Sequence, residues 1–136
     1  MEKKNIRVLV VEDEVDFKHL LTFWLESKGY DVEVAQNGKE AVEMVRAKPA
    51  HIVFMDLRMP VMDGTEAIKN IREFNKDIPI IVISAYVGDP KAKEANAYGI
   101  SGVFYKGTDF EEGLSLLEVA LKTHRQLKKQ SQEQSE

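Results

Sequence analysis

Several apolar stretches of this chain stop at a polar residue of a type that takes part in catalysis. The residues at these ends are Glu12 and Asp13, Asp56, Ser84, and Lys106. If the apolar stretches are parallel strands, their carboxyl ends lie at one edge of a sheet and these side chains converge. A lone buried carboxylate is costly unless a cation pairs with it. The residue types therefore predict a pocket that holds three carboxylates, a hydroxyl and an ammonium group.

The chemistry that needs such a set is the transfer of a phosphoryl group to an aspartate. Asp56 is the most central of the carboxylates and is the candidate nucleophile. Together with Asp56, the side chains of Glu12 and Asp13 offer the oxygen ligands that Mg²⁺ prefers. Lys106 offers a positive charge, and Ser84 a hydrogen-bond donor, to the oxygens of a phosphoryl group.

The spacing of apolar residues predicts five strands that alternate with five helices. The predicted strands cover residues 6–11, 31–35, 51–56, 78–83 and 103–105. The predicted helices cover residues 16–28, 39–47, 65–74, 90–98 and, after a cap at 108–109, the stretch up to 127. This alternation is typical of an α/β domain with a parallel sheet.

The second predicted strand, residues 31–35, alternates polar and apolar side chains, as a strand at the edge of a sheet does. With right-handed crossovers, this favours a doubly wound, flavodoxin-like sheet of strand order 2-1-3-4-5. Ligands bind such sheets beyond the carboxyl ends of the strands, at the point where the winding reverses. Strands one and three flank that point, and their ends carry the three carboxylates.

The composition is that of one globular domain. The chain has 136 residues and no cysteine, so a disulfide, a thiol nucleophile and a thiolate metal site are excluded. A net charge of −4 argues against a basic surface that binds nucleic acid. Since no secretory signal or membrane span is recognisable, we expect a cytoplasmic protein that does not bind membranes. We expect the domain to cover residues 1–127 and a polar, disordered tail to cover 128–136.

Each of these residues also has a simpler interpretation when it is taken alone. The acids at 12–14 could cap the first helix, because carboxylates stabilise a helix N-terminus. We expect Asp16 to be the true N-cap, which leaves the earlier acids free for a metal ion. Ser84 alone fits a turn, and Lys106 alone fits a solvated charge. Asp56 is the hardest to explain without a partner, since it ends a buried strand.

These residues, with the loop Met59-Pro-Val-Met-Asp-Gly64, closely resemble the receiver domain of bacterial two-component response regulators, the CheY-like family. The resemblance covers residues 6 to about 125. It implies that Asp56 is the phosphoacceptor and that Ser84 and Lys106 contact the phosphoryl group. The Mg²⁺ ligands that it implies are Glu12, Asp13, Asp56 and the main-chain carbonyl of Arg58. The implied phosphodonor is a phosphohistidine on a sensor histidine kinase or a histidine phosphotransfer protein.

Two positions depart from the family pattern. In many receivers a proline follows the lysine, but here Gly107 follows Lys106. The switch aromatic usually lies three residues before the lysine, where this chain has Val103. Tyr105 shares a strand face with Val103 and could substitute for the aromatic, whereas Phe104 points to the other face. Coupling of an aromatic to the switch therefore does not follow from the pattern.

Two further side chains are expected near the pocket, because Arg58 lies two residues after Asp56 and Tyr86 two after Ser84. We predict that they control access of water to the phosphoryl group. The fourth helix is rich in alanine and has few large apolar anchors, so we expect it to be loosely held. The surface of the fourth helix, fifth strand and fifth helix is then the expected output surface, which binds a partner or an output domain.

Two other classes of function remain open. One is a metal-dependent phosphatase that forms an aspartyl-phosphate, as haloacid-dehalogenase-like enzymes do, although Asp56-Leu-Arg lacks the second aspartate of their motif. The other is a receiver-like module that binds proteins without being phosphorylated. Of a receiver domain, in contrast, we expect phosphotransfer and autodephosphorylation without steady turnover of a substrate.

Overall fold

The computed structural model describes residues 6–134, in which five strands alternate with five helices. The strands are β1 (Arg7–Val11), β2 (Asp31–Ala35), β3 (Ile52–Asp56), β4 (Ile80–Ser84) and β5 (Gly102–Tyr105). The helices are α1 (Val15–Ser27), α2 (Gly38–Ala47), α3 (Gly64–Phe74), α4 (Pro90–Asn96) and α5 (Phe110–Gln134). Within residues 6–134, no helix is long and apolar enough to cross a membrane.

All strand pairs are parallel, and the order is β2-β1-β3-β4-β5, which confirms the predicted topology. Every residue of β3 and β4 is buried, as expected for strands that are covered on both faces. The edge strand β2 instead alternates half-buried valines with exposed acids. The apolar pattern of each strand therefore matches its place in the sheet.

The two faces of the sheet support separate hydrophobic cores. Val53 and Met55 contribute to one core with residues of α2 and α3, and Ile52 and Phe54 contribute to the other with residues of α1 and α5. Successive side chains of a strand point to opposite faces, so a continuous apolar strand supplies both cores. An aromatic group lies in the second core, made of Phe17, Trp24, Phe54, Phe104 and Phe110.

The N-cap of the first helix differs from the prediction. Glu14 occupies the cap position without a side-chain hydrogen bond, and Asp16 lies in the first turn of α1. Asp16 therefore acts there through its charge near the helix N-terminus and does not cap it. The expected cap at 108–109 is confirmed in that Asp109 Oδ1 accepts a hydrogen bond of 3.0 Å from the Glu111 amide.

The last helix is longer than expected. It continues to Gln134, whereas the sequence predicted a disordered tail from residue 128. Lysine, glutamine and glutamate are good helix formers, and a helix that already exists can extend through them without a new nucleation step. The predicted tail is therefore helical over 128–134, and residues 135–136 lie outside the described part of the chain.

Gly64 sets the course of the loop that follows β3. Its amide donates a 3.0 Å hydrogen bond to the carbonyl of Leu57, and a Cβ on Gly64 would overlap the main chain of Asp56. The start of α3 can pack directly against the end of β3 because this residue has no side chain. This close approach holds the segment that carries Asp56 and Arg58.

Candidate functional site

The pocket lies at the carboxyl edge of the sheet, at the ends of four strands. Glu12 follows β1, Asp56 and Ser84 are the last residues of β3 and β4, and Lys106 follows β5. A cavity of about 390 Å³ opens at this edge, with Asp56, Ser84 and Lys106 among its lining residues. The parallel topology thus brings together side chains that are far apart in the sequence.

Three carboxylates form one group at this cavity: Asp13 and Asp56 line it, and Glu12 is buried next to them. Glu12, Asp13 and Asp56 each offer an oxygen that lies within 4.8 Å of the others. Glu12 and Asp56 are buried, with relative exposures of 0% and 5% for the whole residues, and Asp13 is exposed. These oxygens are close enough for one divalent cation to be held by all three carboxylates after a small adjustment. The donor set and its spacing fit a hard divalent cation.

Lys106 is the cation that contacts these acids in the structure. Its Nζ lies 2.8 Å from Glu12 Oε1, 3.3 Å from Glu14 Oε1 and 3.7 Å from Asp56 Oδ2. Among the residues described, this 2.8 Å ion pair is the contact of Glu12 Oε1, which accepts no well-directed hydrogen bond. A metal ion would therefore take the place that the ammonium group holds at this buried oxygen.

The electrostatics of the pocket favour a neutral Glu12 in the absence of a metal ion. Burial, followed by hydrogen bonding with the Asp56 side chain, raises the pKa of Glu12 to about 8. Burial would lower the pKa of Lys106, but its interactions with Glu12 and Asp56 outweigh this and raise it. Lys106 therefore stays charged at neutral pH, whereas Glu12 needs an additional cation in order to ionise fully.

The hydroxyl of Ser84 lies in the wall of the cavity but is bonded to its own loop. Ser84 Oγ lies 2.9 Å from the carbonyl oxygen of Tyr86 and 3.3 Å from Asp89 Oδ2, and it accepts a hydrogen bond of 3.3 Å from the Tyr86 amide. The hydroxyl must rotate away from these partners before it can donate to a group on Asp56.

Asp89 is a residue of this pocket that the sequence did not single out. Its side chain is only 1% exposed and makes a 2.7 Å ion pair with Arg58. Arg58 also donates a 3.0 Å hydrogen bond to the Tyr86 hydroxyl, and its amide lies 3.4 Å from Asp56 Oδ1. The signal in the sequence was an aspartate before Pro90, which also fits an ordinary helix cap.

The two departures from the family pattern have clear structural positions. Phe104 is buried in the aromatic group, and Val103 and Tyr105 are half-buried on the other face of β5. Gly107 has a φ of 92°, a left-handed conformation that glycine adopts without strain. Proline is excluded here because its ring fixes φ near −65°. The backbone of this loop therefore differs from that of a receiver with proline at the same position.

The fold and the site together define a class of protein. It is a doubly wound α/β domain that carries three acids and a lysine at the switch point of its sheet. Residues 8–118 match the model of the response regulator receiver domain. The chain belongs to this family of two-component signalling proteins.

Relatives with known names agree with this assignment. The chain is 37% identical over 112 residues to the transcriptional regulatory protein ZraR of Klebsiella oxytoca, an alignment that covers 82% of this chain and 25% of that protein. It is 29% identical to the chemotaxis response regulator CheY4 of Vibrio cholerae, with a TM-score of 0.79, over 85% of this chain and 98% of that one. NtrX of Brucella abortus shares the fold at 24% identity and a TM-score of 0.85, over 92% of this chain and 29% of that one.

The chain spans about a quarter of the length of the ZraR proteins that it matches. Those longer relatives contain other regions beyond the receiver. The comparison therefore defines the receiver domain and leaves the output of this chain to be inferred.

Proposed function

We propose that Asp56 accepts a phosphoryl group from a phosphohistidine on a sensor histidine kinase or a histidine phosphotransfer protein, in a reaction that requires Mg²⁺. The observation that carries this proposal is the grouping of Glu12, Asp13 and Asp56 within 4.8 Å, with Lys106 Nζ at 3.7 Å from Asp56. With a divalent cation on the acid cluster and Lys106 beside it, the pocket would supply the positive charge that a phosphoryl group needs around it.

In this reaction a carboxylate oxygen of Asp56 attacks the phosphorus atom, and the bond from phosphorus to the imidazole nitrogen breaks. The electron pair of that bond remains on the imidazole of the donor. Glu12, Asp13, Asp56 and the main-chain carbonyl of Arg58 would hold Mg²⁺, which neutralises charge on the phosphoryl oxygens when it is bound.

Lys106 and Ser84 would hold the product. The ammonium group of Lys106 already lies near Asp56 and can move from Glu12 to a phosphoryl oxygen, because the metal ion then compensates the charge of Glu12. The Ser84 hydroxyl would rotate to donate a hydrogen bond to a second oxygen. Hydrolysis of the aspartyl-phosphate then returns the domain to its resting form.

The output would come from the surface formed by α4, β5 and α5, as a phosphorylation-dependent binding site for a partner protein or an output domain. α4 has seven residues, of which one, Ala95, is buried, so few contacts hold it in place. A movement of Ser84 at the end of β4 reaches this helix through the short loop of residues 85–89.

Residues 1–127 would form this receiver in the cytoplasm, without binding nucleic acid or a membrane.

Incubation with acetyl phosphate and Mg²⁺ tests the proposal. One acid-stable, base-labile phosphoryl group on Asp56, detected by intact mass and lost in Asp56→Asn, is the expected result. Asp31→Asn, at an exposed aspartate on β2, is the matched control and should still react. Steady release of phosphate from phosphomonoesters would instead indicate a phosphatase, and the absence of any reaction would indicate a binding module.

A further inference from the structure

Asp89 is a buried carboxylate in the wall of the same cavity as Asp56. It lies in the loop between β4 and α4 and does not belong to the acid group of Glu12, Asp13 and Asp56. Its Oδ1 accepts a 3.0 Å hydrogen bond from the Lys91 amide, which caps α4, and makes the 2.7 Å ion pair with Arg58. Its Oδ2 lies 3.3 Å from Ser84 Oγ.

The contact with Ser84 limits what the hydroxyl can do. A serine hydroxyl has one hydrogen to donate. In the structure that hydrogen serves the Tyr86 carbonyl, the Asp89 carboxylate or both, at 2.9 and 3.3 Å. While it does so, Ser84 cannot donate to a phosphoryl oxygen on Asp56.

The contact with Arg58 acts on a second group. The main chain of Arg58 lies beside Asp56, but its guanidinium extends to the β4–α4 loop, where it contacts Asp89 and the Tyr86 hydroxyl. The ring of Tyr86 lies 5.8 Å from the guanidinium carbon. Asp89 therefore holds, at the β4–α4 loop, the guanidinium of the residue whose amide lies beside Asp56.

We propose that Asp89 is a positioning residue that keeps Ser84 and Arg58 away from Asp56 until a phosphoryl group arrives. The inference rests on the proposed function. A phosphoryl group carries nearly two negative charges and three acceptor oxygens, so it competes with one carboxylate for both donors. When Ser84 leaves Asp89, the loop before α4 loses a contact on the side of the pocket, while the cap to Lys91 remains. Asp89 thereby links occupancy of Asp56 to the position of α4.

The test measures the affinity of Asp89→Asn and of Asp63→Asn for beryllofluoride. Each protein is titrated with beryllofluoride in the presence of Mg²⁺, and the heat of binding is recorded by calorimetry. Asparagine can keep the cap of α4, but it lacks the charge that holds Arg58 and the second oxygen that Ser84 contacts. Asp63 is a matched control, because it caps α3 and pairs with Lys91 at 2.9 Å without contacting Ser84 or Arg58. We expect Asp89→Asn to bind beryllofluoride about three- to tenfold more tightly, the range that one net hydrogen bond supplies. Asp63→Asn should bind like the wild type.

A second comparison separates positioning from a general change in charge or stability. In a Ser84→Ala background, Asp89→Asn should lose most of its gain, since the hydroxyl that it releases is absent. An undiminished gain there, or an unchanged affinity of Asp89→Asn alone, would overturn the inference. If Asp89→Asn does not fold, Asp89→Ser supplies another capping residue for the same measurement.

The outcome for the wild-type protein distinguishes this inference from the proposed function. If the wild type binds no beryllofluoride and accepts no phosphoryl group, the proposed function fails and takes the inference with it. If the wild type binds beryllofluoride and accepts a phosphoryl group, and Asp89→Asn binds beryllofluoride with the same affinity, the inference alone fails.

Discussion

Lys106 Nζ lies 2.8 Å from Glu12 Oε1, closer than to any other carboxylate with which it forms an ion pair in residues 6–134. The lysine therefore occupies, in part, the electrostatic role that a divalent cation would take in the acid group. Under the proposed function, Lys106 would exchange partners, from Glu12 to a phosphoryl oxygen.

Replacement of Lys106 by methionine should have opposite effects on the two ligands of the pocket, Mg²⁺ and the phosphoryl analogue beryllofluoride. Mg²⁺ binding should become tighter, because the competing ammonium is gone. Beryllofluoride binding should weaken by about ten- to a hundredfold, the scale of a hydrogen bond to a charged group. Calorimetric titration of each ligand measures both effects. Lys91→Met, which removes the cation that pairs with Asp63, is the control, and equal losses in both variants would contradict the prediction.

Glu12→Gln should stabilise the protein when metal ions are removed with EDTA. The pKa of Glu12 is raised from 4.5 to about 8 by burial, so its contribution to stability is complete below pH 4.5 and is lost as the pH rises through 8. The stability of the wild type relative to Glu12→Gln should therefore fall as the pH rises over that window, by at most about 5 kcal/mol. Urea unfolding at several pH values measures it.

The control for this experiment is Glu43→Gln, which removes an exposed acid from α2. The stability of the wild type relative to Glu43→Gln should not fall as the pH rises over the same window. An advantage of Glu12→Gln that grows toward acidic pH would contradict the assignment of Glu12 as a buried acid with a raised pKa.

Tyr86→Ala should shorten the lifetime of the aspartyl-phosphate. The tyrosine side chain is half-exposed and does not line the cavity itself, but its hydroxyl contacts Arg58, which does, so we expect its loss to open a path for water. We expect dephosphorylation to be about two- to fivefold faster, a change of less than about 1 kcal/mol in the barrier. Loss of radiolabel from the phosphorylated protein gives the rate. Tyr98→Phe is a control away from the pocket, and an unchanged rate in Tyr86→Ala would reject a role in water access.

Gly64→Ala should destabilise the protein and slow the phosphorylation of Asp56, although Gly64 does not line the pocket. A Cβ at this position would overlap the main chain of Asp56, and the loop must shift to make room. We expect a loss of roughly 1–3 kcal/mol in unfolding free energy, together with slower phosphorylation by acetyl phosphate. In the control Gly102→Ala, the new Cβ meets the end of the flexible Leu116 side chain at 2.9 Å, so a smaller loss is expected. Wild-type behaviour of Gly64→Ala would show that this close approach is dispensable.

Beryllofluoride should change hydrogen exchange on one surface of the domain. Amides of α4, β5 and α5 should change their protection, because the β4–α4 loop connects them to Ser84. Exchange followed by mass spectrometry, with and without the ligand, measures this, and Asp56→Asn serves as the control that should not respond. Changes confined to α2 and α3 would contradict the proposed output surface.

Much of the architecture could be predicted because the side-chain periods of strands and helices are visible in the chain. The continuous apolar run of β3 predicted a central strand and the alternation in β2 predicted an edge, and the observed order confirms both. The first N-cap and the length of α5 were predicted wrongly. Both lie at helix ends, where weak local preferences compete and the apolar pattern gives no signal.

The sequence by itself determined the order of the elements and the residue types at the carboxyl edge of the sheet, because periodicity and parallel topology follow from local patterns. Only the tertiary structure decided which partner each group takes. Lys106 contacts Glu12 most closely, and Ser84 is bonded to its own loop and to Asp89. The direction of a hydrogen bond and the length of an ion pair depend on loop backbones that residue spacing does not specify. The physical reason is that the contact of Lys106 with Glu12 joins residues distant in the chain, so its geometry exists only after the strands have assembled. The contacts of Ser84 are local, but they depend on the course of the β4–α4 loop, which is fixed by its packing in the folded domain.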